Sequence, residues 1–302
     1  FNGIDPGAQV QGAGTFINNG LVTTSSPVSM TLATATFHNA GQVSVPAGQT
    51  FEIGANGTDT GIYDVAGNLR FAGIITTREL DAVDIRGGGG VVEVASGTVN
   101  ANSGTTFTQS TSTPNGLTVS GGTLNLNTGS TLDTDTLRLT GGSLLGTDDI
   151  TVTSGLNPGT FHFQQGLIGG SGTLTTDAAT VTTLTDAGNL ARLTDSRNWI
   201  HQGTTDFVGS NVFADLTLEG SSVLTNEGTF NFAPQDTGAT LRGTGRFVNN
   251  ATFRANGPVT AQVQTLAFDN NGTVIVDGAG LDIRGGGADT GTYQVNAGTL
   301  DF

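Results

Sequence analysis

Over almost the whole chain an apolar residue alternates with Thr, Ser, Asn or Asp for a few positions and then gives way to Gly or Asn-Gly. A period of two bounded by turn residues predicts short β-strands, each with one face turned to a core. Val43-Ser44-Val45, Leu137-Arg138-Leu139, Thr151-Val152-Thr153 and Val274-Ile275-Val276 are examples, and no useful apolar stripe of helical period stands beside them. The strands also recur. Val119-Ser120-Gly121-Gly122-Thr123-Leu124 returns twenty residues later as Leu139-Thr140-Gly141-Gly142-Ser143-Leu144, while Phe16 and Phe37, like Phe247 and Phe268, lie 21 apart. A coil of about 20 residues with two or three short strands predicts an all-β fold, a parallel β-solenoid (β-helix) of either hand. With coils roughly 4.8 Å apart, some 15 of them would make a rod about 70 Å long. In Phe16-Ile17-Asn18-Asn19, Phe37-His38-Asn39, Phe247-Val248-Asn249-Asn250 and Phe268-Asp269-Asn270-Asn271-Gly272, the Phe is expected in the core and the following Asn at a corner, where amides can stack as a ladder.

A longer period overlies the coils. Phe1 to Phe71 recur as Phe232 to Phe302, with 17 identities in the first 45 positions at a shift of 231. The shift then becomes 230 through Ile53/Ile283, Asp59/Asp289, Gly61/Gly291, Tyr63/Tyr293 and Val65/Val295, and returns to 231 at Leu69/Leu300 and Phe71/Phe302. Residues 1–231 are therefore expected to form one long solenoid period, and 232–302 the start of the next, continuous with the first. Self-similarity of this kind means stacked units sharing one core, an open-ended arrangement. Two stretches depart from the pattern. Asp186 to Asp206 holds Arg192, Arg197, Trp199 and His201 and reads as a loop or packed excursion, and Gly73 to Gly90 is charged before a run of four glycines.

Composition narrows the function classes. The 302 residues include 48 Gly and no Cys, and the ten basic residues are all Arg. Disulfides, thiolate metal sites and Lys–Asn isopeptide crosslinks are thereby excluded. A net charge of −15 leaves no basic footprint for nucleic acid or an anionic membrane face. No apolar run approaches membrane-spanning length, so no membrane insertion is expected of this fragment, and an extracellular, cell-surface placement is inferred from composition rather than from a targeting signal.

Gly228-Thr229-Phe230-Asn231, Phe268 to Val276, Gly285 to Val295 with its echo at Gly57 to Val65, and Leu167-Ile168-Gly169-Gly170-Ser171-Gly172-Thr173-Leu174 resemble the phrases of very long, repetitive bacterial surface proteins. Filamentous-haemagglutinin-like proteins and autotransporter passengers share such phrases. The resemblance covers nearly the whole chain and implies secretion, a β-solenoid rod, and adhesion or scaffolding outside the cell. It supplies no catalytic residues.

Candidate chemistry is sparse. Parallel β-helices include polysaccharide-cleaving enzymes, whose sites need clustered carboxylates beside a basic group. The carboxylate candidates are Asp133 with Asp135, two apart and so on one face of a strand; Asp148 with Asp149, on opposite faces or in a turn; and Asp81 with Asp84 and Arg86. The first pair lies in a Thr-rich edge where a solvated acidic row is the plainer reading. A glycan groove would centre on Trp199, Arg197 and Asp195. His38, His162 and His201 each stand alone, with no second His at ligand spacing, and are expected in turns or at the surface. Gly285-Gly286-Gly287-Ala288-Asp289 and Gly57-Thr58-Asp59 look superficially like calcium-binding repeats, but a single Asp offers too few oxygens, and Asp59 and Asp289 are expected to close turns by accepting backbone N–H groups. The glycines at 87–90 precede no helix, and the sequons at Asn56, Asn250 and Asn271 carry little weight.

The reading is thus a structural or adhesive extracellular filament, not an enzyme, without catalytic, metal or cofactor residues. Its expected partners are itself, end to end or as continuation within a longer chain, and surface glycans. The alternative is a secreted β-helix that binds or cleaves polysaccharide.

Overall fold

In the computed structural model, residues 2–3, 8–24, 29–109, 116–155, 158–185, 191–209, 215–236 and 239–302 are described. Among them regular structure is strand throughout, in 37 short pieces, with no helix. The chain is a parallel β-solenoid of about 12 turns, with coils about 22 residues apart. The coils are somewhat longer than the expected 20 residues and correspondingly fewer than 15. Spacing varies because corners differ in length, from 18 residues between the paired Phe51 and Leu69 to 25 between Val99 and Leu124.

The contacts divide the chain into two compact units, residues 1–148 with 155–157, and residues 149–154 with 158–302. This division is distinct from the 231-residue period. Within the first unit the inward row runs Met30, Phe51, Leu69, Val92, Leu117 and Leu137, each beside the next in parallel register. Within the second, Leu174, Trp199, Leu224, Phe247 and Phe268 do the same. Like stacks on like because parallel pairing places equivalent positions of successive coils one above another. Phe247 and Phe268 lie nearly parallel with ring centroids 5.4 Å apart, and Phe16 and Phe37 at 5.6 Å.

The two copies of the long repeat build the same details. Ala8–Asn18 beside Met30–Asn39 is matched by Thr240–Asn249 beside Ala261–Asn270. In both pairs the register slips at one point, between Gly12 and Thr15 and between Gly243 and Arg246. Gly12 and Gly243 have φ of +139° and +120° there, values a side chain would oppose.

Corner asparagines form the expected amide ladder. Asn226 Nδ2 donates to Asn249 Oδ1 at 2.8 Å, and Asn249 Nδ2 to Asn270 Oδ1 at 2.9 Å and to Thr273 O at 3.3 Å. In the first unit Asn18 Nδ2 donates to Asn39 Oδ1 at 2.7 Å. Asn249 is fully buried, so Asn249→Ala would strand its neighbours' polar groups. A loss of about 1–3 kcal/mol is expected in urea denaturation. Asn271→Ala, which breaks two exposed bonds, the 3.0 Å one donated to Asn250 Oδ1 and the 3.0 Å one accepted from Thr290 Oγ1, should stay within about 0.5 kcal/mol.

The two irregular stretches are coil, not excursion. Thr77–Leu80 and Asp84–Gly87 continue the first unit's ladders. Ala191–Leu193, Asn198–His201 and Thr204–Val208 continue those of the second, while residues 186–190 lie outside the described part.

Candidate functional site

The carboxylates singled out from sequence are dispersed. Asp133 is exposed on Leu132–Thr134, whereas Asp135 lies beyond the end of that strand in a bend, so the two do not share a strand face. Asp148 is buried and accepts hydrogen bonds from Thr128 N at 2.6 Å, Thr128 Oγ1 at 2.7 Å and Gly129 N at 3.0 Å. Asp149 accepts Thr173 N at 2.7 Å. Both carboxylates close corners. Asp81 accepts Asn102 Nδ2 at 2.6 Å, and Asp84 and Arg86 meet at 3.6 Å on the surface. Arg86 borders a shallow apolar crevice between Val65, Ile85, Val92, Phe107 and Leu117.

The proposed groove residues lie elsewhere than expected. Trp199 and Arg197 are fully buried. Trp199 packs edge-on against Phe161 at 5.4 Å, and Arg197 Nη2 donates to Gly169 O at 2.8 Å. Asp195 takes a positive φ of 62° and accepts Gly170 N at 3.0 Å. Trp199 therefore presents no face to a glycan.

Of the histidines, His38 is half-buried on a strand and its Nδ1 accepts Thr58 N at 3.1 Å, while His162 lies half-buried on Thr160–Phe163. His201 departs furthest from a surface position. It is wholly buried at the head of the asparagine row, beside Asn226. Its Nδ1 lies 3.1 Å from Thr176 Oγ1 and 3.3 Å from Thr205 Oγ1, and Nε2 lies 3.2 Å from Thr229 O. This arrangement is satisfied when Nε2–H donates to the carbonyl and Nδ1 accepts from the hydroxyls, which is the neutral ring. Burial depresses its pKa to about 4, overriding the raising effect of the hydrogen bonds to Thr229 and Gly203.

One buried cluster was not legible beforehand. Arg78 occupies an inward position of Thr77–Leu80, in the row that continues as Val99, Leu124 and Leu144. Its guanidinium grips Asp59 through both Nη2 and Nε, the latter at 2.7 Å, and donates from Nη2 to Phe37 O at 3.0 Å. It also lies over the Phe37 ring, 4.9 Å from the centroid. Tyr63 donates to Asp59 Oδ2 at 2.7 Å, and Asn39 N donates to Oδ1 at 2.9 Å. Asp59 thus accepts a backbone N–H as expected, but from Asn39 in the preceding coil rather than within its own turn, because it lies at the end of Gly57–Asp59. Gly57, paired with Arg78, leaves the room: a Cβ there would stand 1.8 Å from Phe37 O and 3.3 Å from Arg78 Nη1. Burial and then the Asp59 charge hold the Tyr63 hydroxyl well above its ordinary pKa. Burial alone would lower Arg78, but Tyr63 and Asp59 outweigh it and the guanidinium is held more firmly protonated.

Sequence signals existed in the repeated Asp59/Asp289 and Tyr63/Tyr293 and in an arginine at an inward place in an alternating strand. Among the described residues no three of His, Cys, Asp and Glu gather as a metal centre would require. The arrangement can lock one coil onto the next. Among the described residues no helix is long and apolar enough to cross a membrane. Comparison of the chain with protein families, with curated proteins and with solved structures finds no match.

Proposed function

We propose that the chain is a structural or adhesive extracellular filament built from stacked solenoid repeats, of the filamentous-haemagglutinin or autotransporter-passenger kind. The observation that carries this reading is the duplication of inter-coil detail across the long period. Bulges at Gly12 and Gly243, amide ladders ending at Asp59 and Asp289, and stacked phenylalanines recur together. All of these groups mediate coil-to-coil contact, so what the repeat preserves is stacking. Repetition lends such a molecule reach, and weak contacts repeated along it add through effective concentration.

Scattering and electron microscopy of chains carrying one, two and three periods test the reading. The long dimension is expected to grow by about 4.8 Å for each added coil at constant cross-section. Constant length with growing thickness would overturn it. Immunolabelling of intact cells tests the extracellular placement, and a glycan array tests adhesion.

A further inference from the structure

We infer that the face formed by residues 280–302 carries a socket for an arginine, and that its occupant is a coil with the sequence of residues 72–101, presented by another copy of the repeat. The inference rests on the stacked-repeat reading and names the contact that would join the coils. In the first unit Asp59, Tyr63, Asn39, Gly57 and Phe37 form a cage, and Arg78 of the following coil fills it. Asp289, Tyr293, Asn270, Gly287 and Phe268 occupy the equivalent positions in the second unit. Asn270 N donates to Asp289 Oδ1 at 3.1 Å, against 2.9 Å for Asn39 to Asp59. A Cβ on Gly287 would fall 1.9 Å from Phe268 O, against 1.8 Å for Gly57 and Phe37 O. Tyr293 lies beside Val274 in parallel register, as Tyr63 does beside Val43.

The surroundings differ in one respect. Ile62–Val65 is paired on both sides, by Gln42–Val45 and by Asp84–Gly87, whereas among the described residues Thr292–Val295 pairs with Thr273–Val276 on one side. Among the described residues no arginine pairs with Asp289, and the Tyr293 hydroxyl lacks the close hydrogen bond that Tyr63 makes to Asp59. Val295 is 49% and Phe302 76% exposed, where their counterparts Val65 and Phe71 are each 3% exposed. A coil like 72–101 answers each of these features. Its Arg78 meets the carboxylate and hydroxyl, its Ile85 lands on the tyrosine, and its Val94 covers the phenylalanine, as they do in the first unit. The Asp289 carboxylate and the Arg78 guanidinium are complementary in charge and in hydrogen-bonding shape.

The test extends the full chain with a second copy of residues 72–148 after Phe302, which adds no tyrosine, so Tyr63 and Tyr293 remain the only two. In the unextended protein burial and then Asp289 hold Tyr293 up to about 12. In the extended protein its absorbance titration is expected to vanish until the chain unfolds, and the amides of 280–302 to exchange far more slowly. Replacing the added copy's Arg78 (R78M in that copy) should raise exchange there on the order of 100-fold. The same replacement should cost about tenfold less when combined with Asp289→Asn, because the neutral amide leaves no buried charge behind. The inference is overturned if Tyr293 still titrates near about 12 in the extended chain, or if the arginine replacement costs the same with either residue at 289. Either result would leave the filament reading to the scattering test, which addresses length rather than this contact.

Discussion

Arg78→Ala is expected to destabilise the coils around it by about 3–5 kcal/mol, the largest single effect foreseen for this chain. The reason is what it leaves behind. Asp59 and Arg78 are almost wholly shielded from water, and without the guanidinium the carboxylate keeps only Tyr63 and Asn39 as partners while retaining its charge. Replacing both members, with Asp59→Asn and Arg78→Met, should therefore cost less than the sum of the single replacements, since no charge is then buried unpaired. Arg78→Lys should rescue poorly, because one ammonium cannot reach both carboxylate oxygens and the carbonyl of Phe37 together. Repeat arrays open piecemeal, so hydrogen exchange across residues 37–101 is the appropriate measurement, with urea denaturation beside it. A change below about 0.5 kcal/mol for Arg78→Ala, the scale of an ordinary surface substitution, would show that the pair contributes nothing.

The second large effect depends on pH and on His201. Its folded pKa is depressed to about 4 from 6.5, so between those values the unfolded chain binds a proton that the folded chain refuses. The associated stability is fully present above pH 6.5 and is lost as pH falls towards about 4, by about 3 kcal/mol in all. Asp177 and Asp269 are also depressed. Backbone and hydroxyl donors around Ser154 and Thr180 act on Asp177 against the raising effect of burial, and Arg246 acts in the same way on Asp269. Their contributions fade only as pH falls through the ordinary carboxylate range and below it, which leaves the window from 6.5 to about 4.5 to the histidine. In that window His201→Asn, which offers an amide in line with Asn226, should flatten the slope of stability against pH. An unchanged slope would mean that the ring is not held neutral by the threonines and the core around it. Urea denaturation at half-unit pH steps measures the difference.

Both effects arise from polar groups at inward positions, the class that sequence reading placed least well. Alternation identifies the inward side of a strand but cannot distinguish an arginine that has a carboxylate waiting in the previous coil from one at a corner. Arg78 finds Asp59 nineteen residues back only because Gly57 leaves space beneath it and Phe37 turns a carbonyl towards it. Trp199 and Arg197 fall in a stretch that reads from sequence as a loop or packed excursion, and under the polysaccharide alternative they would line an exposed groove. They are core because register sets Trp199 between Leu174 and Leu224. His201 followed the same course, taken inward with the row of Asn226 and Asn249. The aspartates at 148, 149 and 289 were better anticipated. An Asp beside a glycine corner has backbone N–H groups within reach whatever the fold around it.

Period and composition by themselves determined that this chain is all-β, that its strands are short and parallel, that phenylalanines stack on phenylalanines and that asparagines ladder at corners. These are consequences of local spacing: coils of similar length bring residue i close to a residue about 22 positions on, and like meets like. Only the tertiary structure decided which inward positions carry charge and which coil supplies the partner. Those outcomes depend on corner lengths that vary from coil to coil, and a change of one residue in a corner moves a side chain from solvent to core.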